Sequence, residues 1–507
     1  MGKRGWKGAM SVFFSVVTVV LLSLVCSLAE SARMQGARVK AAAVMDMALF
    51  SVFGEYEAEL LKQYDVFGVD AGAGRSGGIA ENLGERLEEY IDGNTREGLL
   101  SIISGRSLFP VTAYQSEVTE YLLLTDGNGS VFRDQVVQNF KSAFGTELLS
   151  DYLKLKEQGE ELIEAGEDYS IKEAQAKEQL LQAEAAEIER QKETSREGET
   201  ETAQNVVTKA ETVENPLGLI ERLKRSGILA LVMERPESVS QKSVEKGTLP
   251  ADRRLNEGGL KWERSEDGIL EDGIFQWYLF DHFACFQDKK TDGALDYELE
   301  YLLAGKCSDA ENLKAVVHRL LLMREGANLI YVLANAGMRQ SAEALAAAIA
   351  GGVPGVTLAL TAALLLAWAY GESLLDVRIL LSGGKVPVIK TAESFRLTLE
   401  NLGKLTEVLK ECDTVEGEGL SYRGYLQMLF LTGAKSAYPL RALGMIETTL
   451  NRQEGMEQFR VDHCAAGMKA EVTWKLQTVF SKVPAVFLGK DLKSVGYRTN
   501  GQFIYRE

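Results

Sequence analysis

The sequence predicts an α+β protein that begins with a membrane helix, and three observations carry that expectation. A helical apolar pattern runs through the first sixty residues, strand-like runs occur near residues 121–132 and 468–480, and a capped helix opens at Ser308. The chain has 507 residues, a length that suits two or three compact units. Its 46% hydrophobic and 25% charged shares are ordinary for a globular protein. A mean hydropathy of -0.09 excludes a polytopic transporter, because several spans would drive that average strongly positive. A formal net charge of -17 argues against a nucleic-acid binder, which needs Lys and Arg to neutralise phosphates. Five cysteines in this length make no disulfide framework.

The N-terminus sets the address. Lys3, Arg4 and Lys7 form a short basic head, and no charged residue follows from Gly8 to Ala29. About 20 apolar residues span a bilayer as a helix, so the stretch is long enough. Trp6 stands where an interfacial aromatic belongs. Ser27-Leu28-Ala29 has the small-x-small form of a signal-peptidase site, but the helical pattern does not stop there. Ala41, Val44, Met45, Ala48, Leu49, Val52, Tyr56 and Leu60 continue it at three- and four-residue spacing. The expectation is a retained anchor, one long helix that is apolar in its first half and amphipathic in its second. Arg33, Arg38 and Lys40 leave little basic asymmetry across the span; a short basic head before a large domain places the bulk outside the cell.

Four segments follow from this reading: a cytoplasmic stub and transmembrane anchor over 1–33, an N-terminal α+β region over 34–150, an acidic spacer over 151–214, and a C-terminal α+β domain over 215–507. In the second, Tyr121–Thr125, the Gly-rich Asp126–Gly129 and Ser130–Phe132 suggest strand, turn and returning strand. In the spacer Glu, Lys and Gln dominate, and apolar residues are too sparse for a heptad seam, so a solvated helix or flexible linker is expected. In the last segment Ser308-x-x-Glu311 is a capping box before an apolar stripe. Residues 344–371 carry no charge, but Gly351, Gly352 and Pro354 interrupt them, which favours two core helices over a second span. Met468, Ala470, Val472, Trp474, Leu476 and Phe480 alternate as a half-buried strand, and Asn500-Gly501 has the signature of a hairpin turn.

Chemical motifs are weak. Gly72–Gly77 matches GxGxxG, but the parallel βαβ repetition that a dinucleotide site requires is missing, so a loop is expected. Ser382-x-x-Lys385 has the spacing of penicillin-binding proteins; Gly383, Gly384 and Pro387 oppose the helix on which that pair must sit. His282-x-x-Cys285 and His463-Cys464 lack paired zinc spacing, and a disulfide among Cys285, Cys307, Cys412 and Cys464 stays open. Asp126-x-Asn128-x-Ser130 starts like a calcium loop, but Val131 and Val137 stand at its Gly and Glu positions. No catalytic, cofactor or metal residue is expected.

The run Lys7–Phe14, Leu28–Arg33, Ser51–Tyr56 and Leu60–Phe67 resembles an uncharacterised family of bacterial membrane proteins, domain-of-unknown-function family 5702. Asn215–Leu217, Gly227–Leu229, Asp296–Lys306 and Gly383–Pro387 carry the same resemblance. More distantly, the head resembles TadE/TadG-like pseudopilins of the Flp (Tad) tight-adherence pilus. That likeness implies cleavage between Gly8 and Ala9; the fifth mature position, Glu in type IV prepilins, is Phe13 here. It implies a single-pass structural or accessory component of a Flp/Tad-type pilus or secretion apparatus, with membrane lipid and other pilin-like or pilus-assembly proteins as partners. The alternatives are a cell-envelope hydrolase using Ser382 and Lys385, or a surface adhesin unrelated to pili.

Overall fold

A computed structural model describes residues 5–72, 77–95, 109, 111–142, 145–196, 216–225, 227–264, 268–289, 293–351, 353–411, 418–480 and 494–505. The class is α+β, as expected. Its helices are α1 (Gly5–Gly54), α2 (Ala58–Tyr64), α3 (Ile79–Thr95), α4 (Asp126–Phe140), α5 (Thr146–Arg196), α6 (Pro216–Arg225), α7 (Ile228–Val232) and α8 (Ile269–His282). Then come α9 (Glu298–Ala304), α10 (Asp309–Ala334), α11 (Ala336–Ile349), α12 (Pro354–Leu381), α13 (Leu405–Glu411), α14 (Tyr422–Thr432) and α15 (Tyr438–Leu450). The strands are β1 (Val69–Asp70), β2 (Val111–Leu123), β3 (Cys464–Gln477) and β4 (Ser494–Ile504).

The compact units do not follow chain order. One comprises Met1–Asn139, Arg253–Glu266 and Ile446–Glu507; the other comprises Phe140–Asp252 and Asp267–Met445. The C-terminal segment 215–507 is therefore not one domain. The physical reason is strand pairing: β3 pairs antiparallel with β2 along Leu476↔Val111 to Ala465↔Leu123, and with β1 at Ala465↔Val69. On its β1 side β3 also pairs with β4, from Gly467↔Ile504 to Gln477↔Ser494.

In the first unit, one face of this sheet is covered by α1 and α3. Ala41, Val44, Met45, Ala48, Leu49 and Val52 of α1 pack with Leu83 and Leu87 of α3 and Met468, Val472 and Trp474 of β3. Trp474 is fully buried, and its indole N–H donates to Thr499 Oγ1 at 2.8 Å, so its one polar atom is satisfied. The half-buried strand expected at 468–480 is β3, and the helix continuation is the amphipathic part of α1 as far as Gly54; Tyr56 lies beyond its end and Leu60 belongs to α2.

Two turn expectations fail. Asn500-Gly501 lies inside β4, not at a hairpin turn. A Cβ on Gly501 would stand 2.6 Å from Leu49 Cδ1 and 3.0 Å from Met45, so this glycine serves the approach of α1 to the sheet. At 127–129 three consecutive residues are left-handed (Gly127 φ 61, Asn128 φ 59, Gly129 φ 80), and Ser130–Phe132 enter α4 instead of a returning strand. Asp126 fixes this corner by accepting from the amides of Leu123 (2.7 Å) and Gly258 (2.9 Å).

The second unit is helical. Its backbone is α5, which begins just before the segment expected to be a solvated spacer and runs through most of it. Tyr152, Leu162, Tyr169, Ala176 and Leu180 of this helix are buried. The seam looked empty in sequence because Gly159 and Gly166 occupy positions on the same face. A Cβ on Gly166 would meet the Leu322 carbonyl oxygen at 2.6 Å, and one on Gly326 would lie 2.3 Å from the Ala165 carbonyl carbon. Backbone of α5 thus touches backbone of α10. Residues 197–214, the rest of the expected spacer, lie outside the described residues.

The uncharged run 344–371 divides between α11 and α12, with Gly351 at φ 61 and Pro354 opening α12. In α12, 83% of the most apolar window is buried within the protein, as befits a core helix. Ser308 is the N-cap of α10, its Oγ accepting from the Glu311 amide.

Candidate functional site

The apolar half of α1 is the feature with the clearest physical consequence. Between Met10 and Leu28 its large side chains stand exposed, Phe13 at 64% and Leu21 at 56%. From Ala37 onward the same helix presents a buried face to the sheet. A helix long and apolar enough to cross a membrane is continuous with one that belongs to a folded body. Gly8 and Ala9 lie in the first turns of α1, and Phe13 makes an edge-to-face contact with Phe14 at 5.9 Å.

The junction between the two halves is clamped. Glu30 and Arg33 are both buried, and Arg33 donates to Glu30 Oε1 at 2.6 Å and to the Gln477 carbonyl. Glu30 Oε2 accepts from the amides of Phe480 (2.7 Å) and Val479 (3.2 Å). The end of β3 is thereby tied to the first residues after the apolar run. The sequence reading placed Arg33 only in a charge count, because its partners lie far along the chain.

A second polar assembly, which sequence reasoning missed, lies inside the helical unit. Arg324 of α10 bonds Asp376 of α12 at 2.9 Å, and Lys390 bonds Glu372 at 2.5 Å and Asp376 at 2.7 Å. Asn328 donates to Asp376 and Ser373; Arg324 also reaches the carbonyls of Pro387 and Val388 and the Tyr425 hydroxyl. The two cations and two carboxylates are each at most 5% exposed. Burial and the neighbouring Asp376 raise the Glu372 carboxyl; Arg324 and Lys390 hold Asp376 low against its own burial. The assembly fastens the chain around 387–397 onto α12. Lys390, a little beyond Ser382 and Lys385 in the chain, is thus part of the core, while Thr391 beside it is exposed.

Ser382 follows the last residue of α12, with Gly383 at φ 93 beyond it, and both Ser382 and Lys385 are exposed on a turn. The structure does not bring them together as a helical pair. His318 is exposed on α10, and His463 closes a short 3-10 turn before β3, not within it. Cys26, Cys285, Cys307 and Cys464 are free thiols; Cys412 lies outside the described residues, as do residues 73–76 of the GxGxxG run. Among the described residues, no three His, Cys, Asp or Glu side chains converge as a metal-binding group.

A cleft of about 720 Å³ lies between α11 and α12. Ala336, Gln340, Glu343 and Ala347 line one wall, and Leu358 and Leu365 stand on the other.

No curated protein and no solved structure matches the chain. A family model, described as a family of unknown function (DUF5702), matches residues 206–476. The matched stretch contains α6 to α15 and nearly all of β3, and it amounts to more than half of the chain. The chain belongs to the DUF5702 family.

Proposed function

We propose that this protein is a single-pass, membrane-anchored structural or accessory protein whose bulk is extracytoplasmic, acting as a pseudopilin-like component of a Flp/Tad-type pilus or secretion apparatus. The observation that carries the reading is α1 itself, one uninterrupted helix exposed and apolar over Met10–Leu28 and packed on its own sheet from Ala37. Such a helix transmits position rigidly, because no loop separates the span from the folded unit and the Glu30–Arg33 clamp stiffens the crossing point. Lipid covers the apolar side chains where neighbouring pilin-like helices do not, and burial of each large side chain contributes about 1.5–3 kcal/mol. The short basic head and the Gly8-Ala9 step support the pilin-like part of the proposal. Phe13 in place of the fifth-position Glu removes the charge pairing that typical pilin subunits use, which favours an accessory role over a shaft subunit.

The test is the N-terminal mass of the protein extracted from its native membrane. A mature start at Ala9 is the expected result. An intact Met1 keeps the anchor and removes the pilin-type processing. A start at Glu30 overturns the retained anchor altogether.

A further inference from the structure

We propose that the α11–α12 hairpin is a self-association surface, and that its occupant is the same hairpin of a second copy of this chain. Helix α11 is poorly covered for its length: of its fourteen residues only Ala342 and Ala346 are buried. Two alanines contribute little apolar burial, and a helix this short depends on packing for its stability. Beside it, α12 leaves Leu358 74% exposed at the wall of the cleft, and Leu345 of α11 is 38% exposed. Small residues at Ala336 and Ala347 leave room along the α11 wall for another helix to come within the usual 8–10 Å.

The charge pattern selects the occupant. Arg339 and Glu343 both line the cleft, and among the described residues neither side chain forms an ion pair. They stand four residues apart on one face, in the order that pairs less well within a helix. A two-fold axis crossing α11 near Ser341 sets Arg339 of each copy against Glu343 of the other, forming two equivalent pairs. The surface is therefore self-complementary, as an isologous contact requires. Each α11 then lies in the other copy's cleft, with α12 on the outside, giving a four-helix arrangement whose core includes Leu358 and Leu365. The face is at the small end of specific interfaces, so a dimer of modest affinity follows.

Sedimentation equilibrium of the full chain in detergent tests this, comparing the parent with Arg339→Glu, Glu343→Arg, the double exchange, and an equimolar mixture of the two single variants. Both positions changed are exposed, and far-UV circular dichroism checks that each variant folds. The expected result is a parent dimer, a dissociation constant raised about tenfold or more by either single reversal, and recovery in both the double exchange and the mixture. A monomeric parent overturns the proposal. So does a dimer indifferent to the reversals, which would assign association to α1. A Leu358→Asp variant adds the remaining arm: if the parent is monomeric and this change weakens binding to phospholipid vesicles, the cleft faces lipid and the proposal fails. The anchor is intact in every variant, so these outcomes are independent of the function proposed above.

Discussion

Among the described residues, helices α1 and α12 are the two stretches long and apolar enough to cross a membrane, and they end in opposite surroundings. The most apolar window of α1 has no residue buried within the protein, whereas 83% of that of α12 is buried. Hydrophobicity alone does not distinguish them. What differs is the company each keeps. The second half of α12 carries Glu372, Asp376 and Arg378, and the first two are matched inside the protein by Lys390 and Arg324. Helix α1 has no charge between Lys7 and Glu30, where its clamp to β3 begins. The apolar run of α12 is enclosed by the rest of its unit, whereas that of α1 is exposed up to the clamp.

The contrast is broken most severely at Arg324. Arg324→Ala leaves Asp376 and its neighbours buried without their full partners, and we expect a loss of about 3–5 kcal/mol in thermal unfolding of the detergent-solubilised chain, with membrane retention unchanged. Leu21→Arg is the counterpart in α1. It should cost about 3 kcal/mol of membrane insertion, read as protein released by alkaline extraction, while the unfolding midpoint stays put. If Leu21→Arg destabilised the folded body instead, α1 would be an internal element. Gly326→Ala probes how closely α5 and α10 touch; its Cβ meets Ala165 backbone, and about 2 kcal/mol should be lost in denaturant unfolding.

Buried carboxylates give the helical unit a pH dependence. Burial pushes Glu325 up to about 8, opposed by Lys224 and assisted by Glu173, and pushes Glu300 up to about 7 despite the hydrogen bond from Tyr422. Their folded values lie above the unfolded ones, so the folded state holds extra protons between about pH 4.5 and 8. The stabilisation is fully present below that window and is lost as pH rises through it. Glu325→Gln should therefore flatten the decline, by about 1–2 kcal/mol between pH 5 and 8 in paired melting curves. The smallest effect is expected at Ser308→Ala, about 1 kcal/mol from the lost cap of α10.

Legibility in the sequence followed the range of the interactions. The α1 pattern, the Ser308 cap, β3 and the division at Gly351–Pro354 all rest on residues within a few positions of each other, and each was readable. The Asn500-Gly501 dipeptide misled because its glycine answers to Met45 and Leu49, about 450 positions away. The spacer misled for a related reason: Gly159 and Gly166 look like gaps in an apolar seam until the partner backbone is in place. Nothing near Lys390 in sequence marks it as internal, yet it is buried because Glu372 and Asp376 wait for it on α12.

By itself the sequence determined the apolar leader, the amphipathic continuation of the same helix, the α+β class and the helix caps, since periodicity and capping are local properties of the chain. Only the tertiary structure decided that the last strands complete a sheet begun at residue 69, that α5 is a core element, and that four charges belong in the interior. Those outcomes depend on pairings across hundreds of residues, where a strand needs an edge and a buried charge needs its counter-ion, and neither partner can be read from the neighbours in sequence.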